Sequence, residues 1–307
     1  PSSRSLDMCR IGPILTGDAE SLHGGPPVTA MLVQNTNPAD VAPDTNNIIR
    51  GFLREDLFLC VHEHFMTTTA QYADIVLPAT MFLEHEDYYR GGGHMYLQVH
   101  RPVIKPFDEC RSNHDVICAL GQRLGSNHPG FYMSGVELID ESLTRSGLPG
   151  FEEAADMRWI DMSLEWEEAH FLDGFGHVDG RFHFSPDWSE LGADFEIMPT
   201  LPDHLDNIDE VTEEKPFRLV VPPARRFLNS TFTEMPSSRS REEVPRALMH
   251  HETCERLNLL KDDWVWLGNE QGKVAVPVYP TRGLRKDTVI VEGIWPGSDY
   301  RESLGIN

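Results

Sequence analysis

The first third of the chain alternates short apolar runs with polar turns. Residues 28–34 (VTAMLVQ) mix β-branched and apolar side chains and stop at Asn-x-Asn-Pro, a strand entering a turn. Residues 46–54 set Ile48, Ile49, Phe52 and Leu53 at helical spacing. Residues 56–61 form a second apolar run of strand length. Thr67–Tyr72 reads as a helical turn with a threonine at its N-cap, and 74–77 (DIVL) as a third strand stopped by Pro78. Strand, helix, strand, helix, strand in about fifty residues predicts a parallel α/β sheet. Ligands of such sheets bind at the carboxyl ends of the strands, here Gln34–Pro38, His62–Thr67 and Leu77–Thr80.

Further helices are predicted over 113–124, with Gly125 in the C-cap place, and over 134–146 and 152–170. Residues 174–209 read as a long connection with a small β element at Arg181–Phe184. Pro216 opens a strand-rich part: 217–222, 264–269, 273–280 and 288–296, with a hairpin-like turn at Asn269–Gly272 and one helix, His251–Leu257. Many short strands with few helices predict a small barrel. The expected division is 1–210 and 216–307. No internal repeat or low-complexity segment is visible.

Composition narrows the function classes. The chain has 307 residues and a net charge of −23, without the basic footprint of nucleic-acid binding. No apolar run approaches the ~20 residues of a membrane span. The start, PSSRSLDMCR, has neither an initiator Met nor the apolar stretch of a secretory signal. The cysteines (9, 60, 110, 118, 254) form no CxxC, which argues against a disulfide framework and against a zinc or iron–sulfur site. A reducing, cytoplasmic setting is the expectation.

Several motifs have chemical potential, each with a plainer reading. In QNTNP (34–38), the amides of Gln34, Asn35 and Asn37 suit a phosphate or a pterin edge, or serve turn chemistry alone. In HEHFMTTTA (62–70), His62 and His64 alternate and so suit one face and a metal, yet no third ligand is placed by spacing. Thr67, Thr68 and Thr69 offer phosphate contacts or a cap. Glu84, His85, Glu86 and Asp87 look like a catalytic cluster but read better as supporting or surface groups. Gly91–Gly93 supply a permissive loop. SNHDVI (112–117) starts a helix with Ser112 or Asn113 as N-cap and Asp115 in its first turn. In PPARRFLNSTF (222–232), Arg225 and Arg226 suit phosphate, while Asn229, Ser230 and Thr231 offer neutral hydrogen bonds or a turn.

The run from Tyr72 to His94 matches "ADxVLP…E" at Ala73, Asp74, Val76, Leu77, Pro78 and Glu84. With QNTNP and the Asn-Ser segment, it resembles the C-terminal part of a molybdopterin-guanine-dinucleotide oxidoreductase of the dimethyl sulfoxide reductase family. The resemblance spans roughly 28–125 and 216–307. It implies an α/β fold, a doubly wound parallel sheet followed by a small double-psi-like β-barrel. It implies that Glu63 reads a guanine edge, that Gln34, Asn35, Asn37, His64, Thr67, Thr68 and Asp115 lie near the nucleotide, that Asn229 and Ser230 lie against the pterin, and that Asn307, of a terminal GxN, contacts the cofactor; Arg225 by its own chemistry suits a phosphate or a pterin carbonyl. Asn35 stands where the family usually has glycine. The implied cofactor is molybdopterin guanine dinucleotide with Mo or W. The implied partners are upstream domains of the same polypeptide and a small-molecule substrate. The metal ligand and the iron–sulfur cluster of many members have no counterpart in this sequence, so the chain alone is expected to be inactive, with no catalytic or metal residue. Two competing readings are a stand-alone guanine-nucleotide or cofactor-binding module, and a small metallohydrolase using His62, His64 and His85.

Overall fold

The computed structural model describes residues 4–191, 195, 198–203 and 211–301. They form two compact units. One contains the chain up to His85, Pro102–Tyr132 and the part from Val211 onward; the other contains Glu86–Arg101 and Met133–Glu210.

The first unit begins with α1 (Ile11–Thr16), β1 (Ala30–Gln34), α2 (Pro38–Val41), α3 (Thr45–Phe52), β2 (Phe58–Glu63), α4 (Thr68–Gln71) and β3 (Ile75–Pro78). The strands form one parallel sheet in the order β1-β2-β3, with Gln34 beside His62 and His62 beside Leu77. The expected parallel α/β sheet is present. Leu59, Val61 and Val33 pack on Leu15, Ile48, Phe52 and Ala70, so one face is covered by α1 and α3. The other face, where Cys60 and Ile75 pair, leaves Phe58 and Ile75 48% and 46% exposed. Asp74 pins the entry of β3: its carboxylate accepts the Leu59 N–H at 2.7 Å, and its own N–H donates to the Leu59 carbonyl. α5 (Asn113–Arg123) follows, with Gly125 just past its end at φ +79°.

The second unit is a three-stranded antiparallel sheet, β4 (Asp87–Arg90), β5 (Tyr96–His100) and β6 (Trp159–Asp161), packed on α6 (Gly135–Arg145) and α7 (Phe151–Met157). A short α8 (Trp166–Ala169) follows. The single helix expected over 152–170 is therefore wrong. Arg158 ends α7 at φ +71°, and pairing with Leu97 on β5 buries Ile160, a tertiary pairing that overrides local helical preference. Nor is Arg181–Phe184 a strand; the Asp179 carboxylate accepts the Arg181 N–H and turns the chain there. The Gly91–Gly93 loop is the turn between β4 and β5, with Gly93 at φ +89°.

The rest of the first unit is a five-stranded mixed sheet: β7 (Arg218–Val220), β8 (Ala247–His250), β9 (Trp264–Gly268), β10 (Lys273–Thr281) and β11 (Thr288–Ile290), in the order β7-β11-β8-β10-β9. α9 (Pro236–Glu242) and α10 (His251–Arg256) flank β8. β9 and β10 form the expected hairpin, closed by the Asn269 N–H to the Gly272 carbonyl. Val274, Val276, Val278, Val289, Met249 and Trp295 form its core. This is a curled sheet: among the described residues its end strands β7 and β9 do not pair with each other, so the ring of a complete barrel is not closed. The last strand is also shorter than 288–296. After Ile290 the chain turns inward and Gly293, at φ +82°, lies where a Cβ would come within 2.7 Å of the Ala224 Cβ.

Gly51 offers a test of the α1–α3 contact. A Cβ there would meet the Leu15 Cβ at 2.4 Å. In an open helix Gly→Ala stabilises by about 0.5–1 kcal/mol, whereas overpacking costs about 1–3 kcal/mol. Gly51→Ala is expected to lower the denaturation midpoint; an increase would show that α1 yields freely.

Candidate functional site

The polar ends of the three parallel strands are cross-tied, and the ties decide which side chains face outward. Residue Asn35 takes φ +52°, a left-handed conformation that asparagine tolerates. Its N–H still donates to the His62 carbonyl at 3.2 Å, and its side chain is exposed. Asparagine is one of the few residue types besides glycine that adopt this conformation readily.

Asn37 is 4% exposed and its amide is engaged internally. Oδ1 accepts the Thr69 hydroxyl at 2.7 Å and the Thr69 N–H at 3.1 Å; Nδ2 donates to Asp40 Oδ2 at 2.7 Å. Thr69 Oγ1 accepts the Ala39 N–H in return. This side chain fastens the β1 loop to α4. The threonine run divides the same way. Thr67 caps α4 by accepting the Ala70 N–H, Thr68 bonds to Asp40, and Thr69 is fully buried. All three hydroxyls make protein contacts, and only that of Thr67 serves as a cap.

His62 is fully buried and ties three segments. Its Nε2 lies 3.1 Å from the Arg111 carbonyl, which can only accept, so Nε2 carries a proton. Nδ1 then accepts from the Gln34 amide at 3.1 Å. With both ring nitrogens used, His62 is a structural bridge. β2 ends at Glu63, so the alternation expected to put His62 and His64 on one face does not extend to His64. Among the described residues no cluster of three or more His, Cys, Asp or Glu is arranged to hold a metal ion. His85 Nδ1 is instead 2.8 Å from the Thr80 hydroxyl.

Glu63 uses only one carboxylate oxygen in hydrogen bonds within the protein, among the described residues. Its side chain is 10% exposed; Oε1 accepts the His64 N–H at 2.7 Å, and Oε2 has no protein hydrogen bond among the described residues. His64 Nε2 meets the Thr80 carbonyl at 2.8 Å, and Nδ1 lies 3.4 Å from Glu63 Oε1. Glu84, only 7% exposed, is the buried support of the next loop: its two oxygens accept the Met81 and Phe107 N–H groups, each at 2.7 Å. The catalytic-looking run 84–87 is therefore led by a clamp. Asp115 is exposed and completes the capping box of α5 with Ser112.

In the curled sheet, Arg225 and Arg226 are exposed and have no ion pair or hydrogen bond among the described residues. Asn229, at φ +51°, and Ser230 are the central pair of a tight turn closed by Leu228 and Thr231. No hydrogen bond joins Arg225, Asn229 or Ser230 to the strand-end loops among the described residues. Asn307 lies outside the described residues.

Sequence reasoning missed a polar cleft of about 340 Å³ between α2 and α4 on one side and Thr233–Arg239 and Pro296–Asp299 on the other. Arg239 pairs with Asp299 through both terminal guanidinium nitrogens, one bond being 2.8 Å, and lies over the Trp295 ring. Asp40 lines this cleft. Burial pushes its carboxyl above the ordinary range, opposed by bonds from Thr68, Asn37 and the Gly297 N–H. Burial likewise pushes the Tyr300 phenol up, with Asp299 and Asp40 adding to it. The one sequence signal was the Asn-x-x-Asp spacing of 37 and 40, a helix-start pattern.

The donor set fits a nucleotide cofactor: an open carboxylate oxygen at a strand end for a base edge, and unpaired guanidinium groups for phosphate.

Two expectations follow from the ties. Glu84→Ala removes two hydrogen bonds to a charged acceptor, about 1.5–3 kcal/mol each at most for such part-buried bonds, and should raise hydrogen exchange at Met81 and Phe107; unchanged protection would refute the clamp. Burial holds the Asp40 carboxyl pKa above its unfolded value, so between the two the folded state binds more protons than the unfolded chain. Its contribution to stability should fall as pH rises from the ordinary carboxylate pKa through the raised one. Asp40→Asn should remove that slope in denaturation measured against pH.

Comparisons with known proteins identify the lineage. Residues 19–123 match the family described as "Molybdopterin oxidoreductase", and 217–307 match the "Molydopterin dinucleotide binding domain". The chain is 29% identical to the probable oxidoreductase YoaE of Bacillus subtilis over 305 residues, 98% of this chain and 43% of the relative. It is 25% identical to trimethylamine-N-oxide reductase of Haemophilus influenzae, covering 96% of this chain and 40% of that protein. The solved acetylene hydratase from Pelobacter acetylenicus superposes with a TM-score of 0.73 at 21% identity, over 92% of this chain and 39% of that one, which supports the fold. The chain thus spans about two fifths of the length of these relatives. Among the described residues no helix is long and apolar enough to cross a membrane. With both matches covering most of the chain, and with the fold in agreement, the chain belongs to the molybdopterin oxidoreductase family that includes the dimethyl sulfoxide and trimethylamine-N-oxide reductases.

Proposed function

We propose that this chain is the C-terminal, cofactor-holding part of a bis-molybdopterin-guanine-dinucleotide oxidoreductase with Mo or W. In this reading residues 1–210 form the dinucleotide-binding α/β domain, of doubly wound type, and 216–307 the double-psi-like barrel that covers the pterins. The observation that carries it is Glu63: a strand-end carboxylate with one oxygen fixed by a backbone N–H and the other open. That geometry suits the adjacent N1–H and N2 amine of guanine. Asn35 presents an exposed amide at the end of the neighbouring strand, and Gln34, fixed by His62, holds the loop in place. Asn37, Thr67 and Thr68 support that loop and α4 from within, and Asp115 orders the start of α5. Arg225 suits a phosphate or pterin carbonyl, and the Asn229–Ser230 turn a pterin edge. Asn307 is assigned a cofactor contact on the family pattern alone. When bound, the metal and its dithiolenes supply the redox chemistry; this chain's residues bind and orient the cofactor. Turnover on a small-molecule substrate then requires the upstream domains of the same polypeptide, and the isolated chain is inactive.

Acid hydrolysis of the full-length protein that contains this span should release GMP. Glu63→Gln removes a charged acceptor, worth about 1.5–3 kcal/mol per bond, and should lower the retained GMP by at least roughly tenfold. Release of a different nucleotide, or unchanged GMP in the variant, would overturn the guanine assignment. Metal-dependent turnover by the isolated chain would overturn the fragment reading, and guanine-nucleotide binding by a protein that never acquires the metal would favour a stand-alone binding module.

A further inference from the structure

The parallel sheet is finished on one face only. Val33, Leu59 and Val61 turn into the core beneath α1, α3 and α4. The alternate residues turn the other way, and the register sets them in rows: Ala30 beside Phe58, then Leu32, Cys60 and Ile75 across all three strands. Leu32 and Cys60 are half-buried, while Phe58 and Ile75 stay nearly half exposed. Only the next row is closed, where the Arg111 carbonyl takes the His62 ring proton and Arg111 bridges to Ala79. Parallel sheets have both faces covered, and their strands are apolar on both. The bare face here has that apolar character without the cover.

β1 is also open along its edge. The Thr29 carbonyl accepts the Phe58 N–H, and the Asn35 N–H donates to the His62 carbonyl, so residues 29, 31, 33 and 35 turn their backbone groups toward β2. Those of Ala30, Leu32 and Gln34 point away from it, and among the described residues no strand pairs with them. Natural edge strands are protected by charges, proline or a bulge. β1 reads AMLVQ and has no charged residue and no proline.

We infer that the β1 edge and the Leu32–Cys60–Ile75 face are the docking surface for a strand-and-helix unit of the same polypeptide, outside these 307 residues, which pairs with β1 and completes the sheet. This rests on the reading of the chain as part of a longer oxidoreductase. Two features together select the occupant. The edge needs main-chain partners, which only a strand supplies, and the face needs apolar cover. Handedness joins the two. Right-handed crossovers stepping from β1 to β3 put α3 and α4 on the covered face; a connection stepping the other way, toward and past the free edge of β1, puts its helix on the bare one. A second copy pairing β1 with β1 would satisfy the edge and leave the face bare. Relatives of which this chain covers 43% and 40% have the length to supply the unit. A strand beside β1 would also turn the Gln34–Pro38 loop from a margin of the sheet into a wall of the strand-end crevice where ligands of such sheets bind.

The test uses the native full-length protein that contains this span, and needs no variant. Residue-resolved hydrogen exchange compares Leu32 and Gln34, whose N–H groups point away from β2, with Met31 and Val33, whose N–H groups face it. A paired edge should protect Leu32 and Gln34 to within roughly tenfold of their neighbours, because all four then open with the same sheet. The Cys60 thiol should resist alkylation until the protein is denatured. Fast exchange at Leu32 and Gln34, at least roughly a hundredfold above Met31 and Val33, with Cys60 alkylated in the native protein, would overturn the inference. Protection that disappears when the protein is diluted to a monomer would assign the edge to a second copy and overturn the occupant. Ile75→Asp adds a second readout. Under a docked helix it should lower the denaturation midpoint by several degrees, whereas on a solvated face it should leave the midpoint unchanged and count against docking. The mass of the native polypeptide separates the two readings. If it holds no residues beyond this span, the reading as part of a longer enzyme fails; if it holds them and Leu32 still exchanges freely, only the docking inference fails.

Discussion

The hydrogen bonds that close the carboxyl ends of the three parallel strands are the constraint on which the site depends. A strand end offers backbone groups that the ladder no longer satisfies, and buried ones must find partners. Here His62 takes the Arg111 carbonyl and the Gln34 amide, while Asn37 takes Thr69 and Asp40. The Asn37 bonds are buried and the His62 bonds part-buried, so leaving one of their partners unmet is costly. The loops that leave the strands are therefore held in one arrangement, and the side chains not used in holding them are the ones left to meet a ligand.

That division of labour explains why polar residues adjacent in sequence do different jobs. The side chains of Glu63 and His64 are partly exposed, whereas that of His62, one position before Glu63, is entirely internal. Thr67, Thr68 and Thr69 look equivalent, yet one caps, one bonds to a buried carboxylate, and one closes a side-chain network. Glu84 shows the same principle in the next loop. A carboxylate within a motif that suggests chemistry is consumed by two backbone donors. The cleft beside Asp40 adds a second polar surface, where the α/β layer meets the curled sheet within one unit and the Arg239–Asp299 pair stands at its wall.

The order of the short parallel strands, the α3 and α5 helices and the β9–β10 hairpin could be read in the sequence, because each is set by a local pattern: alternation, helical spacing or a turn-forming tetrapeptide. The family could also be read, since Asp74 and Pro78 sit in a run whose spacing is long enough to be specific, and Asp74 has a visible reason to be there in its clamp on Leu59. Local pattern failed where pairing partners are distant. Residues 159–161 carry helix-compatible neighbours, but Ile160 gains burial only by lying beside Leu97, more than sixty residues away in the chain. β8 was missed for a similar reason: Ala247–His250 has no strand alternation of its own and is a strand because β10 and β11 flank it.

By itself, the sequence determined the class of the protein, the parallel α/β layer with a strand-rich partner, and the residue types at each strand end, because hydrophobic period and turn chemistry act over a few residues. Only the tertiary structure decided which of those polar groups remain available. Whether a histidine is a bridge, a threonine a cap or a glutamate an open acceptor depends on carbonyls and N–H groups brought close from Thr80, Phe107 and Arg111, and no local spacing encodes those distances.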